Sequence, residues 1–218
     1  MHKKRLNNKL NLTNVILVKH PLIEHSLTIL RDKNTPTELF RQHAAIVSKI
    51  LIIEATKNLT VESKKITTPL ASMTGKILAD DIVIVPVLRA GLAMLFALQE
   101  ILPAVNVGFI GLERDEQTAQ AKEYYQKLPK IFATHKVIVI DPMLATGGSF
   151  MDTITILRKK GAKNITLVCI VAAPEGINKI QKTYPLIPIY TAAIDDRLDP
   201  KKFIVPGLGD FGDRYFGT

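Results

Sequence analysis

Asp141 ends an apolar run, Val137–Ile140, and a short loop then leads to Thr146, Gly147, Gly148 and Ser149. A carboxylate delivered by a buried strand can accept hydrogen bonds from two neighbouring sugar hydroxyls. Glycines at the opening of a helix leave backbone N–H groups and the positive end of the helix dipole open to a phosphate. The hydroxyls of Thr146 and Ser149 add donors. The stretch VIVIDPMLATGGS (137–149) therefore has the parts of a ribose-phosphate clamp; the bland alternative is a plain strand–turn–helix. It contains neither the GxGxxG of a dinucleotide site nor the GxxxxGK[ST] of a nucleoside triphosphate loop.

Other charged residues fall in comparable places. Arg89, in VPVLRAG (85–91), sits between an apolar strand-like run and an apolar helix-like segment. Burying it unpaired would be costly, so it either points from the rim toward an anion or forms a structural ion pair. Arg114, in GLERDE (111–116), opens a polar stretch, 112–135, long enough for a mobile lid; a surface loop is the alternative. The tail FIVPGLGDFGDRYFGT (203–218) carries Gly207, Gly209, Gly212 and Gly217 around Asp210. So many glycines favour a shaped loop over a helix. Backbone amides and carbonyls exposed in such a loop can read a flat heterocycle. Asp213 and Arg214 are adjacent and opposite in charge, and the simplest expectation is that they pair.

These residues need a scaffold. Short apolar runs recur at Ile82–Val87, Val105–Ile110, Val137–Ile140, Ile165–Val171 and Ile187–Ala193. They are too continuously apolar for a half-exposed sheet and suit parallel strands covered on both faces. Helix-like segments lie between most of them: Gly91–Leu102, Ser149–Lys160 and Pro174–Tyr184. Alternation of this kind predicts an α/β fold, a parallel sheet flanked by helices. Ligands of such sheets bind beyond the carboxyl ends of the strands, where Arg89, Arg114 and Asp141 all fall. Ser149 followed by Asp152, with Lys159-Lys160 before Gly161, marks the two ends of the helix after the clamp. Thr35-Pro36-Thr37-Glu38 has a capping-box pattern with proline at the first helical position. It predicts a helix to about Thr56, with Leu39, His43, Ile46, Val47, Ile50 and Glu54 on one face. Residues 57–80 read as a mixed arm.

The chain has 218 residues, enough for one domain, 13–218, behind a basic flexible arm, 1–12. Its net charge of +9 comes partly from that arm and is otherwise scattered. That remainder, with no Lys/Arg run and no interleaved aromatics, argues for small phosphate esters rather than nucleic acid as partners. The lone cysteine, Cys169, lies in an apolar run and reads as a buried, inert thiol in a reducing compartment. The apolar stretch Ile82–Leu98 is broken by Pro86, Arg89 and Gly91, so it is no membrane span. Val15–Val18 is too short for a signal-peptide core. A soluble, cytoplasmic protein is the expectation.

The segment VIVIDPMLATGGS resembles the 5-phosphoribosyl-1-diphosphate (PRPP) loop of the type I phosphoribosyltransferases. VPVLRAG, YYQKLP (124–129), VAAPEG (171–176) and PGLGDFGDRYFGT (206–218) resemble the uracil phosphoribosyltransferase family in particular. The resemblance runs from about His20 to the end, and the tail is its most specific part. It implies the type I fold with a hood formed by the N- and C-terminal segments. It also implies conversion of uracil and PRPP to UMP and diphosphate, in a homodimer or homotetramer with an N-terminal arm around a second subunit. PRPP binding would fall to Arg89, Arg114, Asp141, Pro142, Met143, Leu144, Ala145, Thr146, Gly147, Gly148, Ser149 and Asp210. Uracil would meet Ile204, Gly209, Asp210 and Phe211. A non-proline cis peptide beside Arg89 is a further implied feature. Arg89, Asp141 and Asp210 would carry binding and transition-state roles, with no residue assigned as general base. Mg²⁺ is implied through the diphosphate oxygens rather than through a protein metal site. GTP activates parts of this family.

Several positions depart from the family pattern. Asp141-Pro142 stands where many type I enzymes have two acids, which is the usual form in the uracil branch. Gln117, Ala119 and Ala121 replace common lid residues, and Phe203 replaces a common tyrosine. The final lysine of many members is absent after Thr218. Rival readings are a transferase for another base, an RNA-binding sensor of PRPP or UMP, and an inactive scaffold. The tail opposes the first, the scattered charge the second, and intact Arg89, Asp141 and Asp210 the third.

Overall fold

The structure, a computed structural model, describes residues 12–114 and 121–218, and the side chains outside 113–123. Most of the basic arm, Gln117 and Ala119 lie outside the described residues, as do the side chains of Arg114 and Ala121. In chain order the elements are β1 (Val15–Leu17), α1 (Pro21–Arg31), α2 (Thr37–Ala55), β2 (Val61–Thr67), β3 (Ser72–Leu78), β4 (Ile82–Leu88) and α3 (Gly91–Leu98). There follow β5 (Asn106–Val107), β6 (Phe109–Arg114), β7 (Ala121–Lys127), β8 (Lys136–Ile140), β9 (Met143–Leu144), α4 (Gly148–Lys159) and β10 (Asn164–Ala172). The chain ends with α5 (Pro174–Thr183), β11 (Ile189–Ile194), β12 (Arg197–Leu198), β13 (Ile204–Val205) and α6 (Phe211–Phe216).

The main sheet runs β1-β11-β10-β8-β4-β6-β7, with β5 beside β4 and β9 beside β10. Its pairings are parallel except β6 with β7. The expected α/β architecture is therefore present. Strands β4, β8 and β10 are buried along nearly their whole length, which explains their unbroken apolar sequences. Successive side chains feed opposite layers. Ile82 and Ile84 pack with Phe40 and Leu51 on one face, while Val83, Val85 and Val87 pack with Phe150 and Ile177 on the other. Helices α1, α2, α3 and α6 thus cover one face, and α4 and α5 the other.

Several local expectations need correction. Helix α2 begins at Thr37, and no side chain caps it; the Thr35 hydroxyl instead donates to Ile29 O. Its buried stripe is Phe40, His43, Ala44, Val47, Ser48, Leu51 and Ile52, while Leu39 is exposed. Packing against both α1 and α3 selected a different stripe. Helix α1 was not expected; Pro21 opens it, His20 Nδ1 accepts from Leu22 N, and Ile23, Ser26, Leu27 and Leu30 are buried. The mixed arm at 57–80 contains an exposed β2–β3 hairpin, and in the stretch 112–135 Leu112–Arg114 of β6 pair antiparallel with Ala121–Glu123 of β7, while residues 115–120, where a lid was expected, lie outside the described residues. The predicted run Val105–Ile110 divides into β5 and β6. Strand β11 starts only after Pro188, which cannot donate to a ladder. Helix α3 ends at Leu98, short of Leu102. Finally, the glycine-rich tail does contain a helix, α6. Asp210 Oδ1 accepts from Asp213 N at its start, and Gly217, at φ 79°, closes it.

Candidate active site

Along the sheet the chain moves from β4 outward to β6, then back past β4 to β8. The order reverses between β4 and β8, the switch point at which open α/β sheets form ligand crevices. Pro86 of β4 pairs with Ile140 of β8, so Arg89 and Asp141 leave the sheet together at that point. The Leu88–Arg89 peptide is cis. Arg89 projects outward, and its guanidinium lies 3.8 Å from the Asp213 carboxylate. Both partners are largely exposed, so the pair is a weak one.

After Asp141 the chain is pinned from behind. Pro142 O accepts from Ile170 N and Val171 N, and Ala173 N donates to Leu144 O. Strand β9 completes that edge beside β10. Pro142 and Leu144 are buried, so these two predicted PRPP contacts could act only through their backbone. Asp141 is half-buried, and its Oδ1 accepts from Met143 N at 3.3 Å. Desolvation pushes its carboxyl up to about 7, more than that hydrogen bond lowers it.

Helix α4 begins one residue before the predicted Ser149. Gly147 is its N-cap, at φ 76°, with no side chain capping the end. Gly148 N donates to Thr146 Oγ1 at a long 3.4 Å. Gly147 has a second reason to be glycine, because a Cβ there would lie 3.0 Å from Gly176 O. The loop that begins at Asp141 thus ends on the first turn of α4, the kind of helix opening a phosphate cradle uses, although residues 146–149 do not line the cavity that Asp141 lines. Arg158 and Lys159 in the last turn complement the opposite end of the dipole.

The tail closes the other side. A cavity of about 230 Å³ is lined by Ala90 after β4, by Asp141, Met143 and Ala145 after β8, and by Ile204 and residues 209–212. Every predicted uracil contact thus meets the clamp carboxylate in one place. Lys202 and Phe203 also line it, and the sequence reading did not assign them. They sit on the β12–β13 turn, where Lys202 N donates to Asp199 O and Phe203 N to Asp199 Oδ1. Lys202 takes φ 69°, and the signal that could have located this turn is Asp199-Pro200. A larger cavity, about 540 Å³, opens at the amino ends of β8 and β10, and none of the predicted site residues lines it.

Helix α6 holds this wall by packing on α2. The Phe211 and Phe40 rings meet edge to face at 5.2 Å, and the Arg214 guanidinium covers Phe40 at 4.4 Å. The hood is therefore built from both ends of the chain. Arg214 does not pair with Asp213. Its Nη1 donates to Leu208 O and Leu30 O, and its Nη2 to Asp32 O. Cys169 is fully buried, and burial pushes its thiol up to about 12, as an inert core residue requires.

Residues 16–218 match the sequence model of the family described as uracil phosphoribosyltransferase. The chain belongs to the uracil phosphoribosyltransferase family. A uracil phosphoribosyltransferase from Dictyoglomus thermophilum is 51% identical over 205 residues, covering 94% of this chain and 99% of that one. Another from Clostridium perfringens is 50% identical over 208 residues, covering 95% and 100%. Among solved structures, the AQ2163 protein of Aquifex aeolicus superposes with a TM-score of 0.89 at 34% identity, covering 94% of this chain and 98% of that one. A hypoxanthine-guanine phosphoribosyltransferase from Bacillus anthracis shares the fold alone, with a TM-score of 0.52 at 14% identity over 73% of this chain and 80% of its own. Uracil phosphoribosyltransferase membership thus agrees with the tail motif, the segment that carried the resemblance furthest.

Proposed function

We propose that this chain is a cytoplasmic uracil phosphoribosyltransferase, converting uracil and PRPP to UMP and diphosphate. The observation that carries the reading is the single cavity where Asp141 of the clamp faces Ile204 and residues 209–211 of the tail. Asp141 accepts the ribose hydroxyls, and the opening of α4 receives the 5-phosphate. Arg89 and Arg114 hold the diphosphate. As the bond to diphosphate breaks, positive charge grows on the ribose and negative charge on the leaving group. Arg89 is exposed and, among the described residues, pairs with Asp213 across 3.8 Å, so it can turn to that leaving group. Orientation of the two substrates supplies much of the remaining acceleration.

Among the described residues no group of three His, Cys, Asp or Glu side chains could cage a metal. Magnesium fits this site as a companion of the diphosphate, with Asp210 as the exposed carboxylate beside it. When bound it neutralises charge on the diphosphate oxygens. Uracil offers an acceptor at O4 and a donor at N3, and cytosine inverts both. A backbone frame at Ile204 and Gly209 matched to uracil would leave two polar groups unpaired against cytosine, a discrimination of roughly 10⁴-fold.

A homodimer or homotetramer is part of the reading. The β2–β3 hairpin is exposed along both strands, with Leu70 96%, Val61 53% and Met73 50% accessible. An isolated two-stranded ribbon is marginal in water, and clustered apolar exposure suits an interface. Light scattering should give a mass at least twice that of the chain, and removal of 62–77 should lower it. Titrating the rate against GTP decides whether this chain shares the GTP activation found in parts of the family. The central experiment presents PRPP, Mg²⁺ and a panel of nucleobases to the purified protein. UMP from uracil is expected; turnover of another base in its place would overturn the reading.

A further inference from the structure

Arg31 and Asp195 form an ion pair outside the cavity lining. Arg31 is the last residue of α1, and Asp195 follows the carboxyl end of β11. Arg31 Nη2 donates to Asp195 Oδ1 at 2.7 Å and Nη1 to Asp195 Oδ2 at 2.8 Å. This is the planar fork-to-carboxylate geometry that only arginine provides. The carboxylate is nearly inaccessible, with 6% of the side chain exposed. Its backbone is fixed as well, because Asp195 N donates to Ala172 O and continues the register of the sheet.

The pair does not end in itself. Arg31 Nη1 also donates to Gly207 O at 2.7 Å, and Gly207 N donates to Asp195 Oδ2 at 2.8 Å. Both backbone polar groups of one loop residue are therefore held by the two side chains. Gly207 is a place where the chain has little latitude. Its φ is 58°, and a Cβ there would lie 2.1 Å from Ile204 O. The next carbonyl, Leu208 O, is held by Arg214. Fixing residues 207 and 208 sets the path of the backbone from Ile204 to Phe211, the wall of the cavity. A buried ion pair is weak evidence for stability, because its desolvation offsets its attraction. Four short hydrogen bonds, two within the pair and two from it to the N–H and carbonyl of one loop residue, fit a positioning task better.

We propose that Arg31 and Asp195 are positioning residues for the base-binding loop, locking its backbone in the shape that reads uracil while leaving the PRPP clamp untouched. The inference rests on the reading that Ile204 and residues 209–211 hold the base. A loop that is free to shift loses its match to a flat, hydrogen-bonding ligand, whereas the α4 cradle and Asp141 are anchored separately through β8 and β10.

The test is steady-state kinetics of UMP formation by the full chain, varying uracil and PRPP separately. Arg31→Met should raise the KM for uracil by more than about tenfold, with the KM for PRPP changed less than about twofold. Asp195→Asn and Arg31→Lys retain part of the network and should raise the uracil KM by about three- to tenfold. They carry the test if Arg31→Met does not fold. A merely structural role would instead lower kcat through the active fraction at unchanged KM for both substrates, and that outcome overturns the proposal. Gly209→Val, which puts a side chain at a cavity-lining position whose φ of 78° an L residue rarely adopts, separates the two readings. If it raises the uracil KM and the Arg31 and Asp195 variants do not, the positioning role alone fails. If none of them changes the uracil KM, the base is bound elsewhere and both readings fall.

Discussion

Arg89 Nη2 lies 3.8 Å from Asp213 Oδ1, linking the end of β4 to helix α6 beside the cavity. Their neighbours Ala90 and Gly212 both line it. The side chains are 63% and 52% exposed, so their attraction is worth at most about 1 kcal/mol. On the proposed reading a diphosphate would compete with Asp213 for the same guanidinium. Asp213→Asn should therefore lower the KM for PRPP by roughly two- to fivefold with little change in kcat. Arg89→Ala should cut kcat/KM for PRPP by about 10²–10³-fold. Initial rates over a range of PRPP concentrations check both.

Asp141 gives the site a pH dependence of definite sign. Its folded carboxyl titrates at about 7 because burial disfavours the charge, against an unperturbed value of 3.8. Between those values the folded state holds a proton that the unfolded state has released. The associated stabilisation is complete below the unfolded value and is lost as pH rises through about 7. On the proposed reading this carboxylate accepts the sugar hydroxyls, so PRPP affinity should rise over the same interval. Asp141→Asn should flatten both dependences and weaken PRPP binding at pH 8. PRPP titrations and denaturant midpoints from pH 5 to 8, compared between the two proteins, isolate this carboxyl from the titration of the phosphate itself.

Gly147 is the clamp residue whose backbone a side chain would disturb most directly. At φ 76° it occupies the left-handed region, and the Cβ of alanine would meet Gly176 O at 3.0 Å. Gly147→Ala should cost about 1–2 kcal/mol from conformation alone, with the contact adding to it. Because the same residue starts α4, the PRPP KM should rise along with the loss of stability. A urea transition and PRPP kinetics on one preparation test the coupling.

What was legible in the sequence follows from where solvent lies. Strands β4, β8 and β10 are covered on both faces, and their apolar runs announced them. The β2–β3 ribbon is exposed on both faces, so VESKKIT and SMTGKIL carry no one-sided pattern to read. In the tail, glycines obscured α6 although its cap signals, Asp210 before Asp213 and Gly217 after Phe216, were present. Asp141 and Arg89 could be placed at strand ends from local sequence. Their adjacency across the β4–β8 switch point, and the approach of Gly209 to Asp141, depend on topology that no local pattern encodes. The Arg31–Asp195 pair was invisible for the same reason.

Arg214 offers the sharpest test of how the tail is docked. Its guanidinium supplies the carbonyls of Leu30, Asp32 and Leu208 and stacks over Phe40, while partial burial pushes its own acidity in the direction of easier deprotonation. A lysine ammonium has the charge but neither the flat face nor the spread of donors. Arg214→Lys should leave at least one of these carbonyls without its donor and cost about 1–3 kcal/mol. The urea midpoint should fall without a change in slope. If the midpoint stays where it was, the edge-to-face contact of Phe211 with Phe40 holds α6 alone, and Phe40→Leu rather than Arg214→Lys becomes the substitution that releases the tail.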